Sequence, residues 1–245
     1  MFSLKDKIFV ITGATRGLGK EFVDCLSKVT DINSIIVLDL PQNIIDLNIN
    51  NNIYYFPMDL RDVCSIQKAF KNIKNSFGQI DVLINNAGVN KLISALSVTE
   101  DIWDSIIDVN LKGTFFACKE AFPCLVQSND GCIINIASQY SIVGGKYRCP
   151  YAASKAGIVS ITKTLALEWA GHGIRVNAIS PTISVKSSNE NLLELPTVKE
   201  ELLKNIPLGR FCTSKDIIGA IIYLASSEAA MVTGHNLLID GGWTV

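Results

Sequence analysis

The chain has 245 residues, 48% of them hydrophobic and 18% charged, a balance that excludes a disordered polypeptide and lets a domain bury roughly 70–75% of its unfolded surface without metal or cross-link. Its 22 Lys and Arg against 23 Asp and Glu leave a net charge of −1, so no overall field draws it to nucleic acid or to an anionic membrane. The seven cysteines form no Cys-x-x-Cys pair and only His172 and His235 accompany them, which excludes zinc-ligand spacing, and no metal is expected.

The opening MFSLKDKIFVITG lacks a long apolar run and a cleavage site; with the odd cysteine count this predicts a cytoplasmic protein. No apolar stretch approaches the roughly 18 residues of a membrane span.

In chain order, a β-branched run at Ile8 to Thr12 predicts the first strand, and TGATRGLG follows it directly at Thr12 to Gly19. Gly13, Gly17 and Gly19 there form a turn that opens the first predicted helix, Gly17 to Lys28. Backbone N–H groups of such a turn approach a pyrophosphate closely, and the helix N-terminus adds about half a positive charge. The second strand, Ile35 to Leu38, ends on Asp39, twenty residues after Gly19, where a carboxylate accepts from the adenosine ribose hydroxyls of a dinucleotide. The same charge repels a 2′-phosphate, and Leu40, Pro41 and Gln42 put no cation in its place. Arg16 in the glycine turn speaks for the phosphate instead, but one exposed arginine weighs less than the carboxylate. NAD is therefore expected ahead of NADP.

After a polar turn at Asn48 to Asn52 come a strand at Ile53 to Phe56, a helix at Val63 to Phe77, a strand at Val82 to Ile84 and a long helix at Thr99 to Val126. Asn110 stands inside that helix against its propensity, which marks a polar task. The buried strand Cys132 to Ala137 delivers Ser138 to the edge of any crevice at the carboxyl ends of the strands. In the helix Tyr151 to Ala170, Tyr151 and Lys155 stand one turn apart on one face, with Pro150 at its start. A cation about 4 Å from the phenol, at an effective dielectric of about 20, contributes about 4 kcal/mol, enough to bring its pKa down by up to about three. Tyr151 is then able to exchange a proton with a substrate oxygen. The strand Arg175 to Ile179, an irregular insertion from Pro181 to Pro207, the helix Ser214 to Ala225 and the strand Leu237 to Ile239 complete the chain.

Seven continuous apolar strands alternating with helices predict one α/β domain over residues 1–245, a doubly wound parallel sheet covered on both faces. The segment from about 181 to 213 has the place of a substrate lid. Gln139, Lys146, Tyr147, Arg148 and Lys186 flank the expected pocket, which favours a small polar, sugar-like substrate.

TGATRGLG, Asp39, NNAG at Asn85 to Gly88, Asn110, Ser138, Tyr151 with Lys155, and IDGG at Ile239 to Gly242 together resemble the short-chain dehydrogenase/reductase family, from Ile8 to Gly242. The resemblance implies a seven-stranded Rossmann-type oxidoreductase that interconverts secondary alcohols and ketones with NAD, assembled as a homotetramer through the long helices Thr99 to Val126 and Tyr151 to Ala170. It implies Tyr151 as acid/base, Lys155 as ribose ligand and modulator of the phenol, Ser138 as the group that orients the substrate oxygen, and Asn110 as holder of a proton-relay water. For the cofactor it implies Gly13, Arg16, Gly17, Leu18 and Gly19 at the phosphates, Asp39 at the ribose, Asp59 and Leu60 at the adenine, Asn86, Ala87 and Gly88 as a floor, and Pro181 and Ile183 at the nicotinamide. The sequence departs from the family pattern in PTISVK at Pro181 to Lys186, where Thr182 stands in a glycine position and Lys186 in that of a threonine; Ser184 or Ser187 would have to replace the missing hydroxyl. Two other readings remain at this level. One is an NADPH-dependent 3-oxoacyl carrier-protein reductase, favoured by AASKAG and by IPLGR at Ile206 to Arg210 and opposed by Asp39. The other is a non-catalytic dinucleotide-binding sensor, opposed by the joint presence of Ser138, Tyr151 and Lys155.

Overall fold

The computed structural model describes residues 2–29, 32–44, 52–184 and 196–245. The strands are β1 (Ile8–Thr12), β2 (Ser34–Asp39), β3 (Ile53–Pro57), β4 (Val82–Asn85), β5 (Cys132–Ile136), β6 (Arg175–Pro181) and β7 (Asn236–Ile239). They form one sheet in the order β3-β2-β1-β4-β5-β6-β7, every pair parallel. Every residue of β1, β2, β4, β5 and β6 is buried, whereas the edge strands β3 and β7 carry partly exposed positions. Unbroken apolar runs therefore mark the strands that helices cover on both faces.

The helices are α1 (Gly17–Leu26), α2 (Val63–Phe77), α3 (Glu100–Ile107), α4 (Gly113–Leu125), α5 (Cys149–Trp169), α6 (Pro196–Leu203) and α7 (Ser214–Ala225). Side chains alternating along each strand feed two cores. Phe9, Ile11, Ile35 and Val37 meet α1 and α7 on one face, while Val10, Ile36, Leu38 and Leu83 meet α2 and α4 on the other. Among the described residues no helix is long and apolar enough to cross a membrane.

Three departures from the sequence reading have local causes. The long helix over Thr99 to Val126 is two helices joined by a single π turn, Asp108–Lys112, in which the Gly113 N–H reaches back to the Asp108 carbonyl. Gly113 seats that turn against the sheet, because a Cβ there would lie 2.7 Å from the Leu60 carbonyl oxygen. The helix carrying Tyr151 starts two residues early, at Cys149, with Pro150 in its first turn. The segment read as an irregular insertion contains α6; Lys186, Ser187 and the rest of 185–195 lie outside the described residues, as does most of the Asn48 to Asn52 turn.

The chain runs outward from β1 to β3 and then returns to β4 beside β1, so the sheet changes direction between β1 and β4 and opens a crevice at their carboxyl ends. A buried amide relay fixes the helix behind it: Asn85 Nδ2 donates to Asn135 Oδ1 across paired strands at 2.9 Å, and Asn135 Nδ2 donates to Thr162 Oγ1 on α5 at 2.9 Å.

The opposite end of the sheet is held by charge. Asp130 binds Lys7 at 2.9 Å and Arg175 at 3.1 Å, and Arg175, nearly buried, also donates to the Leu224 carbonyl at 2.7 Å. Asp130→Ala leaves Arg175 without its carboxylate, and for this half-buried pair we expect a loss of about 2 kcal/mol. The urea midpoint falls accordingly while kcat and KM stay at their wild-type values, because the cluster lies at the end of the strands away from the crevice.

Candidate active site

The crevice is a cleft of about 1120 Å³. At one end the turn after β1 interlocks with the loop after β4. Gly13 has φ +64, and a Cβ on it would lie 2.7 Å from the Ala87 Cα; a Cβ on Gly19 would lie 2.5 Å from the Asn86 amide nitrogen. Asn86 Nδ2 donates to the carbonyls of Thr12 and Gly13 at 3.1 and 3.0 Å, and Thr12 Oγ1 accepts from the Asn86 and Ala87 N–H groups, both at 3.1 Å. Arg16, exposed, precedes α1 without capping it through its side chain. The first amides of α1, at Gly17, Leu18 and Gly19, thus face the cleft with the positive end of the helix behind them. This cradle, which a single Cβ would fill, fits the pyrophosphate of a dinucleotide.

Asp39 lies at the end of β2 as expected, 9% exposed, and its carboxylate is already engaged. Oδ2 accepts from Thr15 N at 3.1 Å and Thr15 Oγ1 at 2.7 Å; Oδ1 accepts from Leu40 N at 2.8 Å and Asn43 Nδ2 at 2.7 Å. It ties the glycine turn to the end of β2 and fixes one negative charge in the cleft wall. Asp59 and Leu60 line the cleft next to it. Asp59 is forked by Arg61, with the shortest contact at 2.6 Å, and that guanidinium holds its carboxyl below the ordinary carboxylate range.

At the other end stand Ser138, Tyr151 and Lys155, with Gly88, Pro181 and Ile183 around them. Ser138 follows β5 in extended conformation, and its hydroxyl accepts from Tyr140 N at 3.3 Å and hydrogen-bonds the Tyr151 phenol. Lys155, 4% exposed, donates to the Ile136 carbonyl at 2.7 Å, 5.7 Å from the centroid of the Tyr151 ring. The expected acidification of the phenol by this lysine is corrected here. Burial pushes the phenol above its ordinary value of 10, and the groups that pull it back are the Ser138 hydroxyl and the Arg148 guanidinium. One helical turn brings the lysine stem under the ring, but its ammonium seats on the carbonyl at the end of β5.

Burial also lowers Lys155 itself, from 10.5 to about 8. That difference is a cost of about 3 kcal/mol to the folded protein wherever the ammonium is charged, offset in part by its hydrogen bond. Below about pH 8 both folded and unfolded chains carry the proton and the cost is complete. Between there and 10.5 the unfolded chain binds more protons, so this group's contribution to stability rises with pH. Lys155→Met is therefore expected to be more stable than the wild type by about 1–2 kcal/mol at neutral pH and to lose that advantage toward pH 10.5. Urea unfolding at the two pH values checks it; a variant less stable at neutral pH contradicts it.

Asn110 lies on the π turn, wholly buried, and does not line the cleft. Its Oδ1 accepts from Val89 N at 2.8 Å, and its Nδ2 donates to the Val89 carbonyl at 2.9 Å and to Ser154 Oγ at 3.0 Å. The amide is spent on joining the floor loop to α5, so the part this structure gives Asn110 is positional rather than the holding of a relay water. Thr182 fills its glycine position without a positive φ, which among the described non-glycine residues only Asp6 and Tyr147 adopt, and Ser184 lines the cleft. The Ile183 carbonyl accepts from Cys212 N at 3.0 Å. Of the residues expected around the substrate, Gln139 and Arg148 line the cleft; Lys146 and Tyr147 are exposed outside it.

Thr15, Asn43, Arg61, Ser154 and Tyr140 were not singled out by the sequence. Each acts through a partner distant along the chain or through burial, and no local spacing marks it.

A family described as Enoyl-(Acyl carrier protein) reductase matches residues 35–244. An NAD-dependent glycerol dehydrogenase from Listeria innocua is 35% identical over all of this chain and 96% of its own length. A 3-oxoacyl-[acyl-carrier-protein] reductase from Thermotoga maritima is 34% identical over 99% of both chains. Among solved structures, a gluconate 5-dehydrogenase from Burkholderia cenocepacia J2315, in complex with NADP and tartrate, superposes with a TM-score of 0.93 at 28% identity, covering 99% of this chain and 97% of its own.

Proposed function

Because the chain belongs to the short-chain dehydrogenase/reductase family, we propose that its cleft interconverts a secondary alcohol and a ketone on a small polyhydroxylated substrate, with NAD(H) as the hydride partner. The observation that carries this reading is the meeting of Ser138, Tyr151 and Lys155 at one end of a cleft whose other end is a glycine cradle. A nicotinamide dinucleotide, when bound, supplies the hydride acceptor or donor.

The chain's own residues divide the remaining work. Tyr151 donates its hydroxyl proton to the substrate oxygen as a carbonyl is reduced and recovers it as an alcohol is oxidised. Ser138, bonded to that phenol, holds the substrate oxygen and favours the ionised form of the tyrosine. Lys155, anchored on Ile136, keeps a cation beneath the ring. Asn110 and Ser154 hold the floor loop to α5 so that these groups stay in register. Burial keeps the phenol protonated at neutral pH, so the resting protein is set for reduction and oxidation gains as pH rises.

Asp39 supports NAD over NADP, because its fixed charge faces the ribose end of the cleft while Arg16 is exposed and Arg61 is paired with Asp59. The lid reading of residues 181–213 has α6 as its support. Exposed Trp103, Phe115 and Leu167 on α3, α4 and α5 support a homotetramer, which sedimentation tests; seven unpaired cysteines support a reducing, cytoplasmic setting. The reaction is tested by assaying alditols, sugars and oxoacyl thioesters with NAD(H) and NADP(H), following the absorbance of the reduced nicotinamide. Turnover of the polyhydroxylated set with NAD(H) supports the reading; turnover of thioesters alone overturns it.

A further inference from the structure

Beside Tyr151 the cleft wall holds a buried cation without an acid. Arg148 is 8% exposed, and among the described residues no carboxylate lies within ion-pair distance of it and none of its guanidinium N–H groups has a hydrogen-bond acceptor. It is held in place by stacking: its Cζ lies 4.9 Å from the centroid of the Tyr140 ring, whose edge meets Tyr151 and Trp243, each at 6.4 Å between centroids. Gly145 leaves room for that stack, since a Cβ there would lie 2.6 Å from the Tyr140 ring and 3.1 Å from the Arg148 stem. A ring face engages the guanidinium plane and leaves its N–H edge free for a planar acceptor.

A second observation points the same way. Gln139 is 0% exposed, lines the cleft, and neither its amide nitrogen nor its amide oxygen has a partner in the protein. The buried hydroxyl of Thr182 and the Asn90 carbonyl oxygen, on the same cleft wall, are likewise unpartnered. Buried polar groups are satisfied as a rule, so such a set is made for a ligand that brings both acceptors and donors. A buried, unpaired guanidinium adds that the ligand carries negative charge.

We propose that Arg148 and Gln139 form a carboxylate subsite, so that the preferred substrate is a polyhydroxy acid or the corresponding keto acid: the acid group pairs with Arg148, its neighbouring hydroxyl meets Gln139, and a carbinol further along the chain meets Tyr151. This inference rests on Tyr151 being the acid/base of alcohol oxidation. Arg148 sets specificity.

The test pairs aldonates of several chain lengths with the neutral alditol of each length. With the wild-type protein, kcat/KM for the best aldonate is expected to exceed that for its alditol by about 100-fold. Arg148→Gln is expected to raise KM for that aldonate by about the same factor, with a smaller change in kcat, and Arg148→Lys to recover part of the loss. Should Arg148→Gln fail to fold, thermal-shift titration of the wild type reads the same preference, with aldonates raising the melting temperature at concentrations where alditols do not. Equal turnover of acid and alditol at every length, with activity still dependent on Tyr151, overturns the subsite and leaves the proposed reaction standing. Absence of any hydride transfer from either series, with other alcohols also inert, overturns the reaction itself and the subsite with it.

Discussion

Tyr151→Phe lowers the rate of alcohol–ketone interconversion by about 10²–10⁴-fold while the protein remains folded. The substitution removes one oxygen atom. What that oxygen touches in the protein is the Ser138 hydroxyl, and the ring keeps its edge contact with Tyr140. The stability lost is thus one hydrogen bond, about 1 kcal/mol, well below what unfolds a domain. The rate loss is large because no neighbour inherits the proton. Lys155 is turned to the Ile136 carbonyl, Ser138 has an ordinary hydroxyl, and Tyr140 stacks against Arg148. Steady-state kcat/KM with unchanged circular dichroism measures the effect; wild-type turnover in the variant shows that some other group moves the proton.

The second large effect concerns the choice of dinucleotide. Asp39→Asn is expected to collapse the preference for NAD over NADP by about 100-fold. A carboxylate facing the near-dianion of a 2′-phosphate, a few ångströms away at the effective dielectric of a protein surface, costs about 3 kcal/mol, and each 1.4 kcal/mol is about tenfold. Asparagine keeps the shape that Thr15, Leu40 and Asn43 grip and removes the charge. Two of those donors then face an amide rather than a carboxylate, so NAD affinity falls by a smaller factor. With the acid gone, the exposed Arg16 becomes the dominant charge at that wall, and adding Arg16→Ala is expected to take back most of the gain with NADP. The ratio of kcat/KM for the two dinucleotides in the four proteins checks this. A ratio that does not move on Asp39→Asn removes the electrostatic basis for assigning NAD.

The strands were legible in the sequence because burial on both faces leaves an unbroken apolar run, as in Ile133 and Ile134 of β5 or Ile35 to Leu38 of β2. The ends of β1 and β5 were legible too, since the glycine turn and Ser138 follow them at once. The residues expected at the cofactor all line the cleft; of the expected catalytic set, only Asn110 lies behind its wall. Illegible were features that depend on a partner far along the chain. The π turn at Asp108–Lys112 comes with the close approach of Gly113 to Leu60, and nothing between 108 and 113 encodes where Leu60 lies. Lys146, Tyr147 and Arg148 look alike as polar residues before a helix, yet only Arg148 is turned inward. Spacing alone placed a cation near the phenol; it could not register that the end of β5 presents a carbonyl that takes the ammonium, or that burial outweighs the charges around Tyr151.

Tyr151 as the proton carrier is tested most directly by the pH dependence of the single-turnover rate of nicotinamide reduction, compared between the wild type and Tyr151→Phe with the same alcohol. The phenol is held protonated by burial, so the wild-type rate of oxidation should climb from neutral toward alkaline pH, and the residual rate of the variant should be flat. A variant that keeps the wild-type slope, at whatever absolute rate, would place the titrating group elsewhere and contradict the account.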